Sequence, residues 1–213
     1  MPRIKKKLIE TLKEWPGVIE KPDPDFRSKL GLFLSRKGAL VMELGCGRGD
    51  FTIEMAKKFP HTNFIALDRQ GERLWYGAKM RSEFTLENVL FIRMDVVFLR
   101  EFLKEGSVSE IWLTFPDPFP KKGQAARRLT SHIFLDLYRY LLGQAGTVNL
   151  KTDDPNLFLY SKEIAAELGW KIGESTEDIH AQINLDPILQ IQTHFEKKHL
   201  KAGKKINYLR ISK

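Results

Sequence analysis

Short apolar runs alternate with longer amphipathic ones along most of the chain. Ala39-Leu40-Val41-Met42-Glu43-Leu44 ends at a glycine cluster and reads as a buried strand. Phe51, Ile53, Met55, Ala56 and Phe59 then recur at helical spacing, with Asp50 as the expected N-cap and Pro60 ending the helix. The unit repeats. Residues 63–67 predict a strand ending at Asp68, residues 72–84 a helix carrying Leu74, Trp75, Ala78 and Met80, and residues 89–94 a strand ending at Asp95. Residues 97–103 predict a short helix, 110–115 a fourth strand, 130–142 a helix and 147–151 a fifth strand. Residues 155–168 close the series as a helix with Pro155 in its favoured first turn.

Strands alternating with helices at this spacing require right-handed crossovers, so the expected fold class is α/β with a doubly wound, mostly parallel sheet. Ligands of such sheets bind beyond the C-terminal ends of the strands. After Gly169 the pattern changes, and residues 170–174, 188–193 and 206–212 predict strands joined in antiparallel fashion at a sheet edge. Residues 1–29, with Lys5-Lys6-Lys7 and the proline-rich Lys21-Pro22-Asp23-Pro24-Asp25, read as a basic N-terminal arm, and residues 30–213 as one domain.

Composition narrows the classes. A chain of 213 residues with 42% hydrophobic residues, 14 Phe and 4 Trp can fill a sizeable core, which excludes a mainly disordered protein. The single cysteine, Cys46, can form neither an intramolecular disulfide nor a zinc cluster, and a cytoplasmic location is expected. No apolar stretch is long enough to span a membrane, and no apolar signal core follows the N-terminus. The net charge of +8, from 35 Lys and Arg against 27 Asp and Glu, raises a polyanionic partner without naming it. The five histidines show no paired ligand spacing, and no metal is expected.

Glu43-Leu44-Gly45-Cys46-Gly47-Arg48-Gly49 places glycines at alternate positions between a strand and a helix, where they allow a tight turn and close approach of a ligand. A dinucleotide fingerprint wants its last glycine three positions after the second, but Gly49 follows Gly47 by two. The G-x-G-x-G form is similar to that of class I S-adenosylmethionine (SAM) methyltransferases, in which Glu43 would lie near the methionyl moiety. Asp68 ends the next strand where it can accept from both ribose hydroxyls. Asp95 ends the third, either as an adenine contact or as a helix cap. Carboxylates at successive strand ends suit a cationic sulfonium cofactor better than a pyrophosphate.

The segment Phe115-Pro116-Asp117-Pro118-Phe119-Pro120-Lys121-Lys122 leaves the fourth strand with prolines fixing the backbone around Asp117. Arg127 and Arg128 extend a basic rim begun by Lys121 and Lys122. Together with Lys151-Thr152-Asp153 and Thr193-His194-Phe195-Glu196-Lys197-Lys198, these motifs resemble, over residues 30–210, the bacterial tRNA (guanine-N7-)-methyltransferases that modify a guanine of the tRNA variable loop. The resemblance implies a Rossmann-like class I methyltransferase fold with SAM as methyl donor and tRNA as partner. It implies cofactor contacts at Glu43, Gly45, Gly47, Asp68, Asp95 and Asp117, with Asp117 also at the reaction centre. It implies substrate contacts at Lys121, Asp153, Thr193, Phe195 and Glu196. Two departures stand out: Gly123-Gln124-Ala125-Ala126 replaces a stretch that is basic and His-rich in many members, and Asp68 stands where many have Glu.

Taken by themselves, Thr193 and Glu196 also satisfy a helix-capping pair, and that reading stays beside the base-edge one. Alternatives from other classes are a SAM methyltransferase with a non-RNA substrate and a noncatalytic tRNA-binding protein. A monomer is the favoured oligomeric state.

Overall fold

Every residue of the run 40–44 is buried in the computed structural model of the chain, which describes residues 3–213. The chain divides into two units, Met1–Phe102 and Leu103–Lys213. In the first, the order is α1 (Arg3–Glu10), β1 (Val18–Glu20), α2 (Phe26–Leu34), β2 (Leu40–Leu44), α3 (Asp50–Lys58), β3 (Asn63–Asp68), α4 (Gly71–Glu83) and β4 (Val89–Arg93), then a 3₁₀ helix at Val96–Glu101. Its strands lie in the order β1-β4-β3-β2, and every pair is parallel. Leu44 is level with Leu67 and Asp68 with Arg93, so the turns after β2, β3 and β4 open at the same end of the sheet.

The turn between β2 and α3 is closed by Gly49, at φ 70° and ψ 20°, and Asp50 is the first helical residue rather than the expected N-cap. A Cβ at Gly49 would sit 2.5 Å from Cε1 of Phe91, a core residue of β4. The same ring lies 2.5 Å from a Cβ built at Gly77 of α4, with the Arg48 carbonyl oxygen at 2.7 Å. Phe91 therefore fills a slot that two glycines leave, tying the turn to α4. Gly77→Ala is expected to cost about 1–3 kcal/mol by overpacking and to lower the thermal midpoint by several degrees in a calorimetric scan.

Of the segment expected as an arm, residues 1 and 2 lie outside the described residues. From residue 3 onward it is folded into the first unit: β1 pairs with β4, Leu12 and Ile19 are buried, and α1 packs along α4. Trp15 meets Trp75 edge-on with ring centroids 5.5 Å apart. Three-residue β1 is too short to show a period, which is why the segment read as an appendage.

The second unit runs β5 (Val108–Thr114), α5 (His132–Leu141), β6 (Leu142–Thr152), α6 (Pro155–Glu167), β7 (Lys171–Thr176), α7 (His194–Lys201) and β8 (Asn207–Ser212). The strands are ordered β5-β6-β8-β7, with β5 and β6 parallel and β8 antiparallel to both of its neighbours. Strand β6 begins five residues earlier than its periodicity indicated, because α5 hands over to it directly. The expected strand at 188–193 is absent. Leu189 and Ile191 are buried there, but their carbonyls accept from Nζ of Lys151, each at 3.1 Å, instead of from a neighbouring strand. The antiparallel edge is thus built from β8 and β7. Among the described residues no helix is long and apolar enough to cross a membrane.

Candidate functional site

In the first unit the glycine turn is held to the end of β3. Gly45 and Cys46 N–H groups donate to the Leu67 carbonyl at 2.8 and 3.1 Å. Gly47 N–H donates to Asp68 Oδ2 at 2.8 Å, and Gln70 N–H to Asp68 Oδ1 at 2.8 Å. Each Asp68 oxygen keeps a second lone pair for a ligand. Glu43, buried at the end of β2, accepts at Oε2 from Thr52 N–H at 3.1 Å and from the Thr52 hydroxyl at 2.5 Å, which anchors the first turn of α3. Gly45 and Gly47 both have positive φ, 73° and 56°. These are left-handed values that favour glycine.

A Cβ at Gly47 would meet no heavy atom within 4 Å, so the turn faces open space on that side. The field there is anionic. Burial, then the carboxylates of Glu43 and Asp68, push the Cys46 thiol well above its ordinary value, with Asp50 adding to the effect. A neutral, buried thiol is a packing group rather than a nucleophile. An open glycine cradle bordered by carboxylates fits a cationic ligand such as a sulfonium. Asp95 follows β4 and serves as a cap, accepting at Oδ1 from Val97 N–H at 3.2 Å while Oδ2 pairs with Arg69 at 3.2 Å. The capping reading of Asp95 is therefore realised, and a ligand would have to share that carboxylate.

In the second unit the loop after β5 is strained. Phe115 (φ 53°) and Phe119 (φ 42°) are left-handed non-glycine residues, each followed by proline, and they bracket Pro116-Asp117-Pro118. Asp117 is exposed at the middle of this loop and has no hydrogen-bond or ion-pair partner among the described residues. Lys121 and Lys122 are exposed. Arg128 differs from the rim residue expected: Nε donates to the Pro118 carbonyl and Nη2 to the Phe119 carbonyl, both at 3.0 Å, and its guanidinium lies 4.2 Å from the Tyr160 ring centre. It staples the loop from inside. Arg128→Ala is expected to speed amide exchange and proteolysis across residues 116–128, and Arg128→Lys to restore little, because lysine cannot span both carbonyls while stacking.

Asp153 follows β6, and Phe115 N–H donates to the Lys151 carbonyl at 2.8 Å, so the strand end and the loop start are joined. Thr193 is the N-cap of α7, its Oγ1 accepting from Glu196 N–H at 3.1 Å. The capping pair is thus formed. Glu196 has no exposed side-chain surface: Oε2 lies 2.7 Å from Nζ of Lys151, itself fully buried, and Oε1 lies 3.0 Å from His180 Nε2. Phe195, by contrast, is exposed on α7. Sequence reasoning placed Lys151 only within a motif. A lysine at the end of the short strand run Val148-Asn149-Leu150 was the signal that a buried cation needs a buried acid. Among the described residues no group of three or more His, Cys, Asp or Glu side chains could hold a metal ion.

Residues 37–209 match the protein family described as "Putative methyltransferase". A tRNA (guanine-N(7)-)-methyltransferase of Porphyromonas gingivalis is 41% identical over 178 residues, covering 83% of this chain and 72% of that protein. A protein of the same name from Staphylococcus haemolyticus is 33% identical over 195 residues, covering 92% and 89%. Among solved structures, the 16S rRNA methyltransferase KamB aligns with a TM-score of 0.66 at 16% identity over 87% of this chain and 94% of that one. A SAM-dependent methyltransferase from Aquifex aeolicus aligns at 0.57 and 14% identity over 95% and 97%. The structural likeness shows the fold, which is the expected one: the doubly wound, mostly parallel α/β fold with an antiparallel edge of class I SAM-dependent methyltransferases.

Proposed function

Because the chain belongs to the tRNA (guanine-N(7)-)-methyltransferase family, we propose that it methylates N7 of a guanine in the tRNA variable loop, position 46, with SAM as methyl donor. The observation that carries the reading, beside family membership, is the open glycine cradle at Gly47 set among the carboxylates of Glu43, Asp68 and Asp50. Glu43, Gly45, Gly47, Asp68 and Asp95 would hold the cofactor. Bound SAM supplies an electrophilic methyl group on a positively charged sulfur.

Guanine N7 carries a lone pair and no proton, so the protein needs no strong base to unmask it, and orientation dominates the catalytic contribution. The methylated base is cationic. Asp117, held exposed by the strained loop, would stabilise that growing charge and Asp153 would accept from guanine N1–H and the exocyclic amine. Phe195 offers an exposed ring for base stacking. Thr193 and Glu196 would act on the substrate through α7, whose start they fix. The monomer is the proposed working unit, and tRNA as partner corresponds to a cytoplasmic site of action.

Lys121 is assigned to the RNA backbone. Lys121→Ala is expected to weaken tRNA binding and to reduce the slope of log K against log salt by about one, measured by filter binding across a salt series. The whole reading is tested by incubating the protein with labelled SAM and unmodified tRNA, digesting to nucleosides and chromatographing the label. N7-methylguanosine is expected. Label in another nucleoside overturns the specificity, turnover without RNA points to a small-molecule or protein substrate, and binding without turnover points to a noncatalytic tRNA-binding protein.

A further inference from the structure

Asp153 is held by one oxygen only. Oδ2 accepts from Nζ of Lys204 at 2.5 Å and lies 3.2 Å from Nδ1 of His199, whereas Oδ1 takes no hydrogen bond from any described residue. Both partners sit at the end of α7. His199 is in its last turn, and Lys204 follows in a turn closed by Gly203 N–H to the Leu200 carbonyl at 2.9 Å and Lys204 N–H to the His199 carbonyl at 3.1 Å. The start of the helix is anchored by the buried Lys151 and Glu196 pair, so the position of both partners is set by backbone rather than by flexible side chains alone. His199 also touches the other candidate guanine contact. Its ring stacks on Phe115 with centroids 5.7 Å apart and planes 14° from parallel, and Phe115 is the left-handed residue from which the Asp117 loop departs.

We propose that His199 and Lys204 are positioning residues for guanine recognition. They fix the Asp153 carboxylate through Oδ2 and leave Oδ1 to accept from the guanine edge, while the His199 stack on Phe115 keeps that acceptor in register with the Asp117 loop. The inference rests on the reading of Asp153 as a guanine contact. A free carboxylate turns readily about its terminal torsion, and an acceptor already fixed before the base arrives loses less freedom on binding.

The test is steady-state kinetics of the full chain with SAM and unmodified tRNA, on His199→Ala, His199→Asn, Lys204→Ala and Asp153→Asn, with each of the first three repeated in the Asp153→Asn background. His199→Ala and Lys204→Ala are each expected to raise KM for tRNA about tenfold, with kcat changed less and with SAM affinity and thermal midpoint unchanged. Asparagine places an amide donor near the position of Nδ1, so His199→Asn should recover to within about threefold of wild type. In the Asp153→Asn background the effects of His199 and Lys204 substitutions should vanish, since they act through that carboxylate. An equal loss in both backgrounds, or wild-type kinetics for His199→Ala and Lys204→Ala, overturns the proposal. If the wild type forms N7-methylguanosine and Asp153→Asn does so equally well, the guanine role of Asp153 falls and the proposal with it. If the wild type forms none, the functional reading itself has failed.

Discussion

Replacing Asp117 by alanine is expected to lower methyl transfer to tRNA by about 10²–10³-fold, the loss typical of removing one preorganised group that faces developing charge. The expectation comes from how the loop is built. Two left-handed phenylalanines, each preceding a proline, are costly conformations. They persist because Arg128 holds the carbonyls of Pro118 and Phe119 from inside. The result is an exposed carboxylate with no internal partner among the described residues, so its removal breaks no contact within the fold. tRNA affinity and thermal midpoint should therefore stay close to wild type while single-turnover rates at saturating SAM collapse. Asp117→Asn keeps the shape and loses the charge, and should recover only a small part of the rate. Near-normal turnover by a well-folded Asp117→Ala protein would remove this residue from the reaction centre.

Glu196→Ala should act through stability. Glu196 and Lys151 are both fully buried and 2.7 Å apart, and the remaining Lys151 protons go to the Leu189 and Ile191 carbonyls. Deleting the carboxylate leaves an uncompensated ammonium inside the protein, a defect that costs about 3–5 kcal/mol. The thermal midpoint of a domain of this size should fall by roughly 6–20 °C. The segment from residue 182 to 193, which packs by these carbonyls rather than by strand pairing, should lose amide protection first. Replacing both partners by apolar residues, Lys151→Met with Glu196→Leu, should regain much of the loss, because no buried charge is left unpaired. Were Glu196 instead a direct substrate contact, its removal would raise KM for tRNA and leave the melting curve in place.

The strand ends were legible because buried parallel strands are short continuous apolar runs that stop at turn residues. Glu43, Asp68 and Asp95 could be placed at those ends from the runs alone, and all three are there. The Gly47 turn was legible for the same reason: only a glycine repeat fits between a buried strand and the helix that starts at Asp50. Long-range pairing was not legible. Periodicity made residues 188–193 a strand, since alternating apolar residues look alike whether their backbone pairs with a neighbour or with a buried ammonium. It missed β1, whose three residues carry no pattern of their own. Charge was the least legible property. Arg128 and Glu196 both read as outward-facing from sequence, yet each satisfies partners inside the fold, one two carbonyls and the other a lysine and a histidine. Of the basic residues after Asp117, Lys121, Lys122 and Arg127 remain exposed, Arg127 with its guanidinium 4.4 Å from the Phe119 ring centre.

The central claim is transfer of a methyl group to guanine N7 in the tRNA variable loop, and the most direct measurement locates the product within the RNA. N7-methylation makes a guanosine labile to reduction followed by aniline, which cuts the chain at that nucleotide. Unmodified tRNA treated with the protein and SAM, then reduced, cleaved and run beside a sequence ladder, should give a single new break in the variable loop that depends on both protein and SAM. A break at guanines elsewhere in the tRNA, or an uncut chain after full consumption of SAM, would contradict the account.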